Sequence, residues 1–505
     1  MKRTTIIAVL AGTALATSTG AFEGYVTGDF HTHTNLSDGS VVQSLITENA
    51  FKTYGLDWLA NTDHGGAFNR DPYGAFWDTL SSNQYIKGIA STSENHRNMW
   101  RWQSLLEYSF PLITQLRDQY IDKKIIQGFE WNCPSHEHAN IGIISNEGKS
   151  VSDFEYLFDQ NDKDTSRNTE FGITSKQNRT HADALAGLAW LQKYYPTTSY
   201  VHFNHPSRKL KYSISDFRDF YNCAPELIVG IEGMPGHQKE ATRCGYTNSN
   251  VKAHTYGGTD YMFAKVGGLW DAMLSEGRKV WITSNSDFHD TIGDFWPGEF
   301  QKNYTYVKDE NNDRHINMPE LISGMKSGNS FVVSGDLIKG LNVKVKKSKS
   351  NRSSATLGQT LNIDKNNEVI LEIELTINDR YNNNDDRVFP DHVDIILGAV
   401  HTPALSGTTE YSIDTVATTQ IVKSFRLLDF ARTGATKFAT RYKMTINDDS
   451  YIRIRGTNVP INTPNETDSL GNPLDDTQMG TNTYRTAYAD LWFYSNPVFI
   501  SVNNQ

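Results

Sequence analysis

The chain has 505 residues, 38% hydrophobic and 21% charged, a composition that suits a folded protein of two or three domains and excludes a disordered or collagen-like chain. Its 48 Lys and Arg against 58 Asp and Glu give a formal charge of -10, and no basic run is long enough to track a phosphate backbone, so nucleic acid is not an expected partner. Three cysteines, Cys133, Cys223 and Cys244, include no C-x-x-C pair; this excludes a thiolate zinc site as the main chemistry and leaves Cys223–Cys244 as the one candidate disulfide.

At the start, "MKRTTIIAVLAGTALATSTGAF" sets Lys2 and Arg3 before an apolar run, Ile6 to Ala16, too short to span a bilayer and followed by small residues suited to cleavage. Residues 1–21 therefore read as a signal peptide and predict a periplasmic or extracellular protein. No later stretch is apolar for the length of a transmembrane helix. Over residues 22–337, strand-like runs ("YVTGDFHTH", "LDWLANT", "KKIIQGFEW", "HANIGIIS", "TSYVHFNH", "ELIVGIEG", "RKVWITSNS") alternate with stretches of helical period at 41–55, 99–120, 181–195 and 267–277. About seven strands with crossover helices predict an α/β barrel. The Asn/Asp/Ser-rich stretch 146–179 reads as a surface excursion or lid. Over residues 338–505, runs such as "NEVILEIELTIND" and "SYIRIRGTN" alternate polar and apolar residues between Asn/Asp/Gly/Pro turns, which predicts an antiparallel β-sandwich.

Chemistry collects at the ends of the first set of strands. In "GDFHTHTNLSDGS", His31 and His33 point the same way, and the turn that follows can swing Asp38 back toward them. Later strand ends add Asp63 and His64, Glu130, His136 and His138, His205, then Asp287 and His289. One such histidine alone would be a packed core residue. So many imidazoles and carboxylates on one rim need divalent cations among them, because buried charge must be paired or metal-bound. Asp63 faces away from its neighbour His64 and is expected to orient an imidazole. His136 and His138 share parity, so either qualifies as a ligand, whereas His202 reads as structural. Arg208 would bind a substrate oxyanion or form a surface ion pair, and Glu232 and His237 would touch substrate or stabilise a turn. There is no G-x-S-x-G elbow, no dinucleotide fingerprint and no P-loop.

The ordered series H-x-H-x-x-x-S-D-G, T-D-H-G, a Glu after an apolar strand, H-A-N-I-G, N-H-P and S-D-x-H, within residues 28–290, resembles the PHP (polymerase and histidinol phosphatase) metallohydrolases. Export, the "SDG" variant and the C-terminal "DLWFYSNPVFI" resemble most the exported branch with carbamate-hydrolysing enzymes of the carbaryl hydrolase type. The resemblance implies a distorted seven-stranded barrel holding two or three divalent ions, of zinc, manganese or iron. His31, His33 and Asp287 would share one ion with Glu130; Glu130 would bridge to a second held by His138, preferred over His136, and His205; Asp38, His64 and His289 would hold a third. Glu130, Asp287, His64 and Asp63 would be the catalytic residues, with Arg208 and His237 binding substrate. The function implied is a secreted phosphoesterase in which the ions ready a water molecule for attack on a small phosphate ester. A carbamate, ester or amide hydrolase with the same site is the alternative, and a non-catalytic glycan- or surface-binding protein is the third reading.

Overall fold

A computed structural model describes residues 23–503 except 80–85, 89–91, 145, 177, 314, 349–352 and 480–483; residues 1–21, expected from the sequence to be a signal peptide, lie outside the described residues. Each of the seven strand-like runs contains a strand: Glu23–Asp29, Trp58–Asn61, Lys124–Asn132, His138–Ile143, Ser199–Phe203, Ile228–Met234 and Ile282–Ser284. They lie side by side in chain order. Neighbours are parallel except at His138–Ile143, which runs antiparallel to the strands on both its sides. Just past their ends the first and last of the seven meet through a parallel bridge, Thr32 to Phe288, where the His33 N–H donates to the Phe288 carbonyl at 2.9 Å.

The sheet continues on the other side of Glu23–Asp29 through Gln301–Lys308 and Ser330–Ser334 and then into the C-terminal strands Trp492–Ser495, Ser450–Thr457, His392–Ala399 and Gln420–Arg426. The protein is thus a mixed α/β chain organised on one large mixed sheet. A second sheet pairs Ile338–Lys347, Asn367–Ile377 and Lys437–Ile446 antiparallel, with two short strands on its edges. Its inward residues, among them Val343, Leu371 and Ile373, share a core with Val393, Ile395, Ile452 and Ile454 of the large sheet.

Local sequence explains the elements that position the site. Gly28 sits where Glu23–Asp29 pairs with Trp58–Asn61, and a Cβ there would lie 2.0 Å from the Trp58 ring, so only glycine lets the strands meet. The helices His181–Tyr194 and Ile214–Cys223 each open on a capping box, Thr180 with Asp183 and Ser213 with Asp216, a device typically worth about 1 kcal/mol.

Two expectations are corrected. All three cysteines are free, so Cys223 and Cys244 form no disulfide. The 146–179 stretch is no surface excursion: it contains the helix Lys149–Phe158, whose Val151 and Phe154 belong to the main core. Its polar composition misleads because Asp159, fully buried, accepts the backbone N–H groups of Asn132, Asn161 and Asp162. Among the described residues, no helix is long and apolar enough to cross a membrane.

Candidate metal centre

Beyond Asp29 the chain alternates sides. Phe30 turns inward and stacks on His202 (centroids 4.9 Å apart, 4° between planes), while His31 and His33 emerge together with their Nε2 atoms 3.0 Å apart. Glu130, 1% exposed near the end of Lys124–Asn132, is the hub. Its Oε1 lies 3.1 Å from His31 Nε2, 3.1 Å from His138 Nδ1 and 3.2 Å from His205 Nε2; its Oε2 lies 2.8 Å from His64 Nδ1 and 3.4 Å from His33 Nε2. Asp287 Oδ1 is 3.0 Å from His31 Nε2 and 3.2 Å from His33 Nε2. On the solvent side Asp38 stands 3.5 Å from His33 Nδ1, 3.3 Å from His64 Nε2 and 3.5 Å from His289 Nε2. The nine donors singled out in the sequence therefore stand together.

The backbone is strained where it delivers them. His205, His237 and Asp287 have φ of 27°, 55° and 47°, a region that normally favours glycine and costs of order 1–3 kcal/mol per residue. The neighbouring loop can approach only because residue 236 is glycine: a Cβ there would lie 2.1 Å from the Ser286 carbonyl oxygen and 2.4 Å from Asp287 Cβ.

The electrostatics suit cations. His33 Nδ1 and His205 Nδ1 are buried without a hydrogen-bond partner, each an omission that ordinarily costs about 1–3 kcal/mol, while His64 Nδ1 and Asp287 Oδ1 face only other members of the cluster, Glu130 Oε2 and the His31 and His33 Nε2 atoms. Burial, together with His289 and His64, pushes His33 down to about 4 in pKa, and burial with the Arg208 guanidinium does the same to His205. Burial works against ionisation of Glu130 and Asp287, but the surrounding imidazoles outweigh it and hold both carboxyls well below their usual range. For His64, burial opposes the charge, yet the Glu130 and Asp38 carboxylates prevail and push it up to about 10. His33 and His205, held neutral beside ionised carboxylates, are donors ready for divalent ions, whereas His31, His64 and His289, whose protons the neighbouring carboxylates hold against the effect of burial, must release them to bind. Four overlapping groups have their ligand atoms within 4.8 Å of one another: His33, Asp38, His64 and His289; His31, His33 and Glu130; His64, Glu130 and His138; and Glu137, His138 and His205.

Around this cluster lie residues that hold it. Glu232, fully buried, places Oε1 3.2 Å from His31 Nδ1 and accepts the His205 N–H on Oε2 at 2.6 Å, so it fixes two donors rather than a turn. Asn204 donates to Glu130 Oε1 at 2.7 Å, and Glu137 Oε1 lies 3.7 Å from His205 Nδ1. Sequence reading passed over Asn204 and Glu137. The available signal for Glu232 is the repeated end of two apolar strands, Gly-Phe-Glu at 128–130 and Gly-Ile-Glu at 230–232.

Other placements differ from expectation. Asp63 orients no imidazole among the described residues: it receives the Thr34 N–H at 2.7 Å and the Ser37 hydroxyl at 2.7 Å, and so pins the turn that carries Asp38. His136 turns away from Glu130 toward the Lys211 carbonyl and His181. His202, by contrast, is structural as expected, fully buried with Nε2 2.5 Å from the Thr283 hydroxyl. Arg208 is no surface ion pair: it donates to Glu137 Oε1 at 3.1 Å, has Nη1 3.9 Å from Asp287 Oδ2, and keeps a buried Nε–H with no partner. His237 Nε2 is 3.0 Å from Asp287 Oδ2 and its Nδ1 2.6 Å from Asp294 Oδ1.

No protein-family model and no curated protein matches the chain. Among solved structures it is similar to a two-domain protein from Bacteroides vulgatus ATCC 8482, described as containing a predicted PHP-like metal-dependent phosphoesterase, at 13% identity and a TM-score of 0.35 over 89% of this chain and 93% of that one. That likeness is too slight to assign a function. The histidine and carboxylate cluster itself fits a metal-dependent hydrolase.

Proposed function

We propose that this chain is an exported metal-dependent hydrolase of the PHP type that cleaves phosphate esters, with a seven-stranded barrel over residues 22–337 and a β-sandwich over 338–505. The observation that carries this reading is the gathering of nine donors, five of them imidazoles in direct contact with Glu130, with His33 Nδ1 and His205 Nδ1 buried and unpartnered. His31, His33, Asp287 and Glu130 would hold one ion, Glu130 with His138 and His205 a second, and Asp38, His64 and His289 a third. When bound, such ions supply Lewis acidity and lower the pKa of a coordinated water toward neutrality.

The chain's own residues supply the rest. Arg208, whose Nη1 stands 3.9 Å from Asp287 Oδ2, keeps an unpartnered Nε–H, and its guanidinium can donate to an anionic oxygen of the substrate. Burial disfavours charge on His237, but Asp287 and Asp294 outweigh it and raise its pKa well above the ordinary value, so its Nε2 holds a proton at the rim. A cationic rim beside the cluster favours a substrate that carries negative charge, which supports a phosphate ester over a neutral carbamate. The test is hydrolysis by the metal-loaded protein of a phosphomonoester, a phosphodiester, an aryl ester and an N-methylcarbamate, side by side. Preference for a phosphate ester is the expected result; turnover of the carbamate or aryl ester alone would move the reading to carbon chemistry, and turnover of none would favour a binding protein.

A further inference from the structure

His136 leaves the Glu130 cluster and enters another group. Its Nδ1 lies 2.9 Å from the Lys211 carbonyl oxygen and so carries the proton donated there, which leaves Nε2 as a bare lone pair. That lone pair faces His181 Nδ1 at 2.8 Å. His181 is the first residue of the helix His181–Tyr194 and Asp216 the third of the helix Ile214–Cys223. Asp216 commits Oδ2 to the Ser213 N–H and hydroxyl, at 2.8 and 2.7 Å, which leaves Oδ1 free and 3.6 Å from His181 Nδ1. On the far edge of the ring, His181 Nε2 stands 3.3 Å from Asp219 Oδ2.

From this geometry we infer that His136 Nε2, His181 Nδ1 and Asp216 Oδ1 form a second cation site, sharing no ligand with the Glu130 cluster and suited to a first-row divalent ion of the zinc type. The three ligand atoms lie within 4.8 Å of one another. His136 directs its outer nitrogen to a carbonyl, the arrangement that metal-binding histidines use to fix ring and tautomer, and His181 has the Asp219 carboxylate 3.3 Å from its outer nitrogen, close to but short of an aligned hydrogen bond. The rings are also held by packing: His136 stacks on Tyr212 with centroids 5.1 Å apart and 4° between planes, and His181 lies 5.1 Å from the Phe220 ring. Two imidazoles and one carboxylate favour zinc over calcium or magnesium, which prefer oxygen. Asp219 Oδ1 accepts the Tyr411 hydroxyl at 2.7 Å, so an ion here would brace the helix Ile214–Cys223 where the C-terminal half of the chain docks on it.

The rival occupant of the gap is a proton: a doubly protonated His181 bridging His136 and Asp219 would give the same distances with no ion. Diffraction at the zinc edge from crystals of the full chain grown with Zn2+ separates the two. An anomalous peak between His136 Nε2 and His181 Nδ1 is expected; peaks confined to the Glu130 cluster, or none, would overturn the inference. In solution, zinc per chain is counted after loading and gel filtration for the wild type, His181→Ala, and Asp216→Asn, which keeps an oxygen for the helix cap. Each variant should lose one equivalent of zinc, and an unchanged count in both would assign these contacts to the proton.

Discussion

Glu232 Oε1 stands 3.2 Å from His31 Nδ1, on the edge of the ring opposite Glu130 and Asp287. The same carboxylate takes the His205 N–H on its other oxygen, so one buried side chain fixes donors from two strand ends. Replacing Glu232 by Gln keeps the shape but removes the charge that orients the His31 ring. Metal affinity should fall by about 10–100-fold, as loss of such an outer partner does, with the thermal midpoint of the metal-loaded protein lowered accordingly. Competition with a coloured chelator reads it. Wild-type affinity in Glu232→Gln would reduce Glu232 to a packing residue.

Glu130→Gln tests the hub. Both Glu130 oxygens sit within 3.4 Å of imidazole nitrogens, His31, His138 and His205 on one side and His33 and His64 on the other, so no other carboxylate can take its place without a backbone shift. The expected result is loss of more than one ion per chain and a drop in hydrolysis exceeding the roughly 100-fold that an outer partner costs. Elemental analysis of the gel-filtered variant, with circular dichroism to verify folding, decides it. Full metal content would remove Glu130 from the cluster.

How much of this was legible in the sequence depended on period and parity. All seven strands were visible as apolar runs, and the nine donors were visible because imidazoles and carboxylates recur at the ends of six of them. Asn204 was not, because an amide between a strand and His205 looks like a turn residue until its Nδ2 is found 2.7 Å from Glu130. The strands Gln301–Lys308 and Ser330–Ser334, which carry the sheet across to the C-terminal half, also escaped. Their polar residues are mostly buried: Gln301, Asn303 and Thr305 have inward side chains, and Asn303 donates to the Gly28 carbonyl at 3.1 Å. A pattern of apolar periods cannot register a strand whose inward face is made of hydrogen-bonded amides and hydroxyls.

Metal uptake should release a proton at neutral pH. In the metal-free cluster burial opposes charge on His64, but Glu130 and Asp38 keep it protonated up to about pH 10. The sign follows from linkage: the folded-state pKa is raised above the ordinary 6.5, so this imidazolium contributes fully to the stability of the metal-free fold below about pH 6.5 and the contribution is lost as pH rises through about 10. An ion bound through His64 must displace that proton, so affinity should climb with pH and level off near 10. Calorimetric titration with Zn2+ in buffers of different ionisation heat should show about one proton more released per chain from the wild type than from His64→Gln at pH 8, the remainder coming from the other carboxylate-paired imidazoles such as His31. Equal release in both would place the proton elsewhere.

The buried pair Arg453–Asp271 should contribute measurably to the joint between the two halves of the chain, beside the sheet that runs through both. Arg453 donates from Nε at 2.8 Å and Nη2 at 2.7 Å to the two oxygens of Asp271, with both side chains at most 1% exposed, while Tyr451 donates to Asp271 Oδ1 at 3.0 Å. Asp271 belongs to the helix Leu269–Leu274 beside the seven-strand region; Arg453 lies in Ser450–Thr457 of the C-terminal half, and its guanidinium sits 4.5 Å from the Trp270 ring. Removing only the arginine strands a carboxylate away from water, so Arg453→Ala should cost about 3–5 kcal/mol. Replacing both partners, as in Asp271→Asn with Arg453→Met, should recover much of that, because the expense lies in the unpaired charge more than in the lost contact. Denaturant unfolding of the two single variants and the double variant measures the coupling. If the double variant were as unstable as the sum of the singles, the pair would contribute only packing, and the joint between the halves would rest on the pairing of Ser330–Ser334 with Trp492–Ser495 and on the apolar core around Trp270, Trp281, Tyr451 and Trp492.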